Sequence, residues 1–343
     1  MNLPIQPPYP PMEARTVEHI PAGDEWQYEP KWDGFRCLVF RDGGDVYIQS
    51  KAEKPLGRYF PEVEAAVLAL RATRFVLDGE IVIPIGGVLS FEELLHRIHP
   101  AASRVQKLSR EHPAMVLVFD MLADDGKNLA ELPLRERRAR LESFAEKNLS
   151  REGDVRLSPA TTDIATANEW LTSVRGGLDG VIAKRLDLPY QSGERTGMQK
   201  IKRLRTADCV VGGFRYGANS KQVGSMLLGL YDDEGLLHHV GFTSGIKAAD
   251  RAALTNKLEK HIREPGFTGR APGGPSRWST ERSEQWIPLA PDLVVEVQYD
   301  HFSEGRFRHG TRFLRWRPDK DSQQCTFEQV TRGGRPSLRL LSE

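Results

Sequence analysis

Lys31 stands in the run Glu29-Pro30-Lys31-Trp32-Asp33-Gly34-Phe35-Arg36, which gathers a lysine, carboxylates, a glycine and an arginine into one short stretch. An amine becomes a nucleophile only after losing its proton, so a lysine in surroundings that disfavour the ammonium is a candidate for covalent chemistry. Asp33-Gly34 predicts a sharp turn, and Arg36 carries donors suited to a ribose or a phosphate. Taken alone, the run fits equally well a hairpin turn flanked by surface charges.

Four further segments embed charge in apolar sequence. Within Phe75–Val82 lies Asp78-Gly79-Glu80, where a buried Glu80 is costly unless it meets a cation or a donor; a turn leaving both acids in water is the alternative. Phe119-Asp120 closes an apolar run, and the ring is either core or a platform for a nucleotide base. Asp179 opens the run Leu178–Lys184 and suits a hard cation such as Mg²⁺. Lys200-Ile201-Lys202 alternates, so on a strand both ammonium groups share one face. They repel unless an anion lies between them or water screens them, and an edge strand guarded by lysines is the bland reading.

Those residues need a frame. Residues 1–25 are proline-rich and predict an extended arm. Strands are expected over Phe35–Phe40 and Val46–Ser50 with a hairpin turn between them, then over Phe75–Pro84, Met115–Met121 and Leu178–Lys184. Helices are expected from Pro61, over Phe91–Ile98 behind a Ser90/Glu93 capping box, over Pro133–Lys147 and over Ala165–Val174. This mixture without strict alternation predicts an α+β domain with antiparallel sheets, residues 1–203. After a linker at Lys202–Thr206, strands at 207–216, 225–231, 236–242, 293–299 and 311–317 with a helix at 248–261 give the element order of a small closed OB-type barrel, residues 204–343.

The 343 residues suit two domains, and 39% hydrophobic with 28% charged residues describes a soluble globular chain. No run is long and apolar enough to span a bilayer, and Met1–Pro4 lacks a signal-peptide pattern, so the expected location is the cytoplasm. A formal net charge of +1 neither supports nor excludes a polyanionic partner. Cys37, Cys209 and Cys325 lack metal-ligand spacing and read as buried thiols.

In order, Lys-x-Asp-Gly-x-Arg, Asp-Gly-Glu, Phe-Asp, Asp-Gly-Val-x-x-Lys and Lys-x-Lys resemble the covalent nucleotidyltransferases: DNA ligases, RNA ligases and capping enzymes. Arg317-Pro318-Asp319-Lys320 matches the Arg-x-Asp-Lys motif of ATP-dependent ligases, and the details are most similar to bacterial ligase C and the ligase domain of ligase D. The resemblance implies that Lys31 attacks the α-phosphorus of ATP to give lysyl-AMP, with Lys200 and Lys202 stabilising phosphate charge. It implies that Glu29 contacts the adenine edge, Arg36 the ribose region and Phe119 the base. Glu80 would hold the ribose or a metal-bound water, Asp179 would bind Mg²⁺ or Mn²⁺, and Lys184 would bind phosphate. Lys51 and Arg195 would contact DNA. Arg317, Asp319 and Lys320 would engage the β- and γ-phosphates before the second domain swings away on the linker to grip DNA. The expected substrate is nicked duplex DNA, sealed by a monomer with a role in repair. An RNA ligase or capping enzyme, and a scaffold that has lost catalysis, are the alternatives.

Overall fold

The computed structural model describes residues 1–175, 178–273, 285–331 and 335–341. The chain divides into two compact units, Met1–Arg203 with Gly334–Glu343, and Leu204–Gly333.

Two sheets build the first unit. In the larger, the path runs Val155–Leu157, Met115–Asp124, Arg74–Val82, Phe35–Asp42, Asp45–Ser50. Its central strands are buried on both faces, so their side chains divide by parity: Cys37 and Val39 join one core cluster, Leu38 and Phe40 another. Helix Pro61–Ala69 contributes Val63 and Val67 to the first cluster, and Leu134–Asn148 contributes Leu141 and Phe144. The proline-rich arm is docked rather than loose, with Leu3, Ile5 and Met12 buried in the second cluster.

The smaller sheet has four strands in the order Arg15–Val17, Met198–Lys202, Leu178–Arg185, Trp26–Trp32. Trp26, Tyr28 and Trp32 alternate into a core shared with Leu117, Val181 and Trp170. Thus Lys31 sits on a strand, where the sequence suggested a turn. Pro30 is tolerated because this strand lies at the edge of its sheet, where a missing N–H leaves no ladder bond unmade on the outer side.

In the second unit the sheet order is Leu237–Thr243, Val223–Tyr231, Arg205–Tyr216, Val294–Tyr299, Arg312–Trp316. The expected closed barrel is not a continuous ladder. The two edge strands meet only at a parallel bridge between Thr243 and Thr311, where Thr243 Oγ1 donates to Thr311 O at 3.0 Å. Helix Arg251–Glu259 buries Leu258 against this sheet.

The segment expected to end the second domain returns to the first unit. Arg335–Pro336 pairs in parallel with Val174–Arg175, and Leu340 is buried beside Trp26 and Trp170. Helix Ala102–Glu111 was not anticipated from the sequence. No helix among the described residues is long and apolar enough to cross a membrane.

Candidate active site

Strand parity places Gln27, Glu29 and Lys31 on one face of Trp26–Trp32. The neighbouring strand pairs Leu178 with Trp32 and Gly180 with Lys31, so Asp179 is the extra residue of a bulge. That bulge brings Asp179 Oδ2 to 2.7 Å from Lys31 Nζ. Gly180 makes it possible: its φ is +149°, and a Cβ there would lie 1.9 Å from Ile201 O. A second bulge does the same for Phe119. Asp78 pairs with Asp120 and Gly79 with Val118, leaving Phe119 unpaired, and a Cβ on Gly79 would sit 2.7 Å from Leu117 O.

Around Phe119 the charges are matched. Arg36 is bidentate to Asp78, Nε–Oδ1 2.5 Å and Nη2–Oδ2 2.6 Å, and its guanidinium lies 4.5 Å from the Phe119 ring centre. Tyr190 donates to the same Asp78 at 2.7 Å and accepts from Met12 N at 2.9 Å. Arg36 is therefore already held, where the sequence suggested donors open to a ribose. Lys184, expected at a phosphate, instead lies buried with Nζ 2.8 Å from Glu29 Oε2 and 4.5 Å from the Phe119 ring centre. The angle of that ion pair leaves Lys184 Nζ without an oriented hydrogen bond. Gln27 donates to the other Glu29 oxygen at 2.8 Å.

Lys200 and Lys202 share one face of Met198–Lys202, opposite Ile182 and Gly180. Burial, helped by Lys31, Lys51, Lys202 and Arg195, draws the Lys200 pKa below its usual value. Glu13 gathers the two residues expected at DNA: Arg195 donates to it at 2.7 and 2.9 Å, and Lys51 Nζ lies 3.4 Å away. Glu13, Glu29, Lys31, Arg36, Lys51, Glu80, Phe119, Lys184 and Lys200 line a single cleft of about 210 Å³. A larger cavity of about 620 Å³ lies in the second unit against Phe313 and Trp316, but its lining holds no paired lysine and carboxylate of the Lys31–Asp179 kind.

Glu80 and Asp179 are the carboxylates proposed for a metal. Burial raises the Glu80 carboxyl to about 7; Asp33 and Asp78 add to the rise, while Arg36 and Lys31 oppose it. A carboxyl so disfavoured as an anion gains from a divalent cation, and hard oxygen donors fit Mg²⁺ or Mn²⁺.

Arg317, Asp319 and Lys320 lie in the second unit and form their own cluster. Arg317 Nη1 is 2.8 Å from Asp208 Oδ1, its Nη2 is 2.9 Å from Asp319 Oδ2, and Lys320 Nζ is 3.4 Å from Asp208 Oδ2. The hydrogen bonds from Arg317 lower Asp319 to about 2. Sequence reasoning overlooked Glu13 and Asp208 altogether and gave Asp78 no role, although an acid inside Phe75–Val82 was a visible signal.

A lysine held by a carboxylate beside an aromatic ring and a lysine-lined strand describes a nucleotidyl-transfer site. The family profile "ATP dependent DNA ligase domain" matches residues 11–202 and "ATP dependent DNA ligase C terminal region" matches residues 219–320. The chain belongs to the ATP-dependent DNA ligases, enzymes that take ATP as their nucleotide substrate. It is 45% identical to DNA ligase C2 of Mycolicibacterium smegmatis, over 96% of both chains. It is 42% identical to DNA ligase C of Mycobacterium tuberculosis, covering 97% of this chain and 96% of that one. The multifunctional non-homologous end joining DNA repair protein LigD of M. tuberculosis is 31% identical over 91% of this chain, which spans 39% of LigD.

Proposed function

We propose that this ligase seals nicks in duplex DNA through three transfers that begin at Lys31. Lys31 Nζ gives up a proton to solvent and attacks the α-phosphorus of ATP. A P–N bond forms, the α–β P–O bond breaks, and pyrophosphate leaves with the electron pair. Lys200 and Lys202 offset charge on the phosphate oxygens during that displacement. Glu80 and Asp179 would hold a divalent cation, which supplies charge neutralisation at the phosphates.

Glu29 accepts a hydrogen bond from the adenine amino group, and its carboxylate repels the carbonyl oxygen that guanine carries there. Phe119 meets the base, Lys184 supports Glu29, and Arg36 is held by Asp78 to face the ribose. On the second unit, Arg317, Asp319 and Lys320 are assigned to the β- and γ-phosphates. An oxygen of the nick 5′-phosphate then attacks the same phosphorus, breaking P–N and returning a proton to Lys31. The 3′-hydroxyl finally attacks the 5′-phosphorus, releasing AMP. Lys51 and Arg195 are assigned to DNA phosphates. The name of the LigD relative supports a role in repairing breaks.

The observation that carries this reading is the 2.7 Å contact between Lys31 and Asp179 beside Phe119 and Lys200. Incubation with α-labelled ATP or GTP and Mg²⁺ after pyrophosphate stripping tests it. The protein takes a covalent label from ATP and not from GTP, and Lys31→Ala takes none; a labelled Lys31→Ala overturns the assignment.

A further inference from the structure

His239 is the least explained polar group in the second unit. It is 8% exposed, and neither ring nitrogen makes a well-oriented hydrogen bond, the Gly241 backbone offering only a weak one. Its ring packs edge-on to Phe267 at 5.4 Å, which accounts for its carbon edge but satisfies no nitrogen. Leaving a buried polar atom unpaired is costly, so such atoms ordinarily meet a protein group, a water or a ligand.

What surrounds His239 is cationic. Its backbone N–H donates to Arg270 O at 2.7 Å, and Arg270 Nη2 donates back to His239 O at 3.3 Å. The same Nη2 donates to Gly305 O at 2.5 Å, tying Arg270 to the turn that carries Arg306. Gly305 has φ +70°, and a Cβ there would crowd Arg270 Nη2 at 3.0 Å, so the turn is built to admit this guanidinium. Arg270 Nε is buried and without a partner. Among the described residues, neither Arg270 nor Arg306 forms an ion pair with a carboxylate. Arg36, Arg315 and Arg317 all have one.

Two half-buried guanidiniums without an acid, beside an imidazole with no well-oriented hydrogen bond, leave donors for an anion with several oxygens. Burial, then Arg306, Arg215 and Arg270, holds His239 uncharged with its pKa at about 3, so at neutral pH it offers one N–H donor. A neutral donor there avoids adding a further like charge to the group before the anion arrives.

We propose that His239, Arg270 and Arg306 form a phosphate-oxyanion subsite on the second unit. The shared chemistry is a tetrahedral phosphate, from either a nucleic-acid phosphodiester or free inorganic phosphate. Guanidiniums suit it through paired N–H donors. The subsite stands apart from any assignment in the Lys31 cleft, since phosphate binding here is read without ligation.

The full chain, labelled with ¹⁵N-histidine and assigned by His239→Phe, is titrated with inorganic phosphate and, separately, with an intact duplex lacking a nick. The imidazole signals of His239 shift and saturate, and in Arg306→Gln the saturating shift is lost while the other histidine signals stay in place. Response to both probes supports a general phosphate site, response to duplex alone a phosphodiester site, and response to phosphate alone a free-phosphate site. In the duplex case, Arg306→Gln also lowers the slope of log binding constant against log salt by about 0.9, and Arg306→Lys restores it. No saturable His239 shift with either probe overturns the proposal.

Discussion

In the Met1–Arg203 unit five cations in and around the cleft already have an acid: Lys31 has Asp179, Arg36 has Asp78, Lys184 has Glu29, and Lys51 and Arg195 share Glu13. In the Leu204–Gly333 unit the Arg317 cluster is paired through Asp208 and Asp319, whereas Arg270 and Arg306 surround a neutral histidine. Pairing fixes the long side chains in place before a ligand binds, and the ligand must then displace or share the acid. An unpaired group needs no displacement, but its mutual repulsion weighs on the folded state until an anion binds. The first arrangement favours positioning for chemistry. The second favours capture.

The largest expected break in this comparison is Gly180→Ala. A Cβ 1.9 Å from Ile201 O on a backbone at φ +149° forces the bulge to move, costing about 3 kcal/mol or more in stability. Asp179 then loses its aim at Lys31, and adenylation falls at least ~100-fold, as read by single-turnover labelling. Normal labelling by Gly180→Ala would show that the bulge does not position the pair.

The two units should also answer pH in opposite directions. Glu80 has a folded pKa of about 7, above its unfolded value, so the folded protein holds the extra proton between about 4.5 and 7. Its contribution to stability is lost as pH rises through that window. Glu80→Gln should flatten the fall in denaturation midpoint between pH 5 and 8. His239 has its folded pKa depressed to about 3, below an unfolded value near 6.5. Stability is therefore lost as pH falls from about 6.5 towards 3, and His239→Phe should remove that part of the acid sensitivity. If both variants moved the same limb of the profile, the contrast between a costly acid and a costly base would fail.

Glu13→Gln gives the smallest effect. Lys51 and Arg195 lose a shared carboxylate at a largely exposed site, so nicked duplex should bind about 2- to 5-fold tighter at low salt, and the gain should vanish near 0.5 M salt. Weaker binding would mean that Glu13 serves to hold the two cations in place and not to compete with phosphate.

Chemistry-bearing residue types were legible in the sequence because the proposed transfer calls for such groups: Lys31, Glu80, Phe119, Asp179 and the Lys200–Lys202 pair could be singled out before their positions were known. Their aim was not legible. Asp179 and Phe119 are turned by bulges, and a bulge depends on register between strands far apart in sequence. The Lys31 strand was hidden by Pro30 and Asp33-Gly34, since only its edge position makes proline acceptable. Arg36 and Lys184 were visible as charges, but the acids that hold them, Asp78 and Glu29, come from neighbouring strands that only the folded register brings alongside. The return of Leu340 to the first core escaped notice because a short C-terminal segment carries no periodic pattern.

Tandem mass spectrometry of the pyrophosphate-stripped chain after incubation with ATP and Mg²⁺ tests the central claim most directly. One AMP on the peptide containing Lys31, removed again by pyrophosphate, is the expected result. An adduct on any other side chain, with Lys31 unmodified, would contradict it.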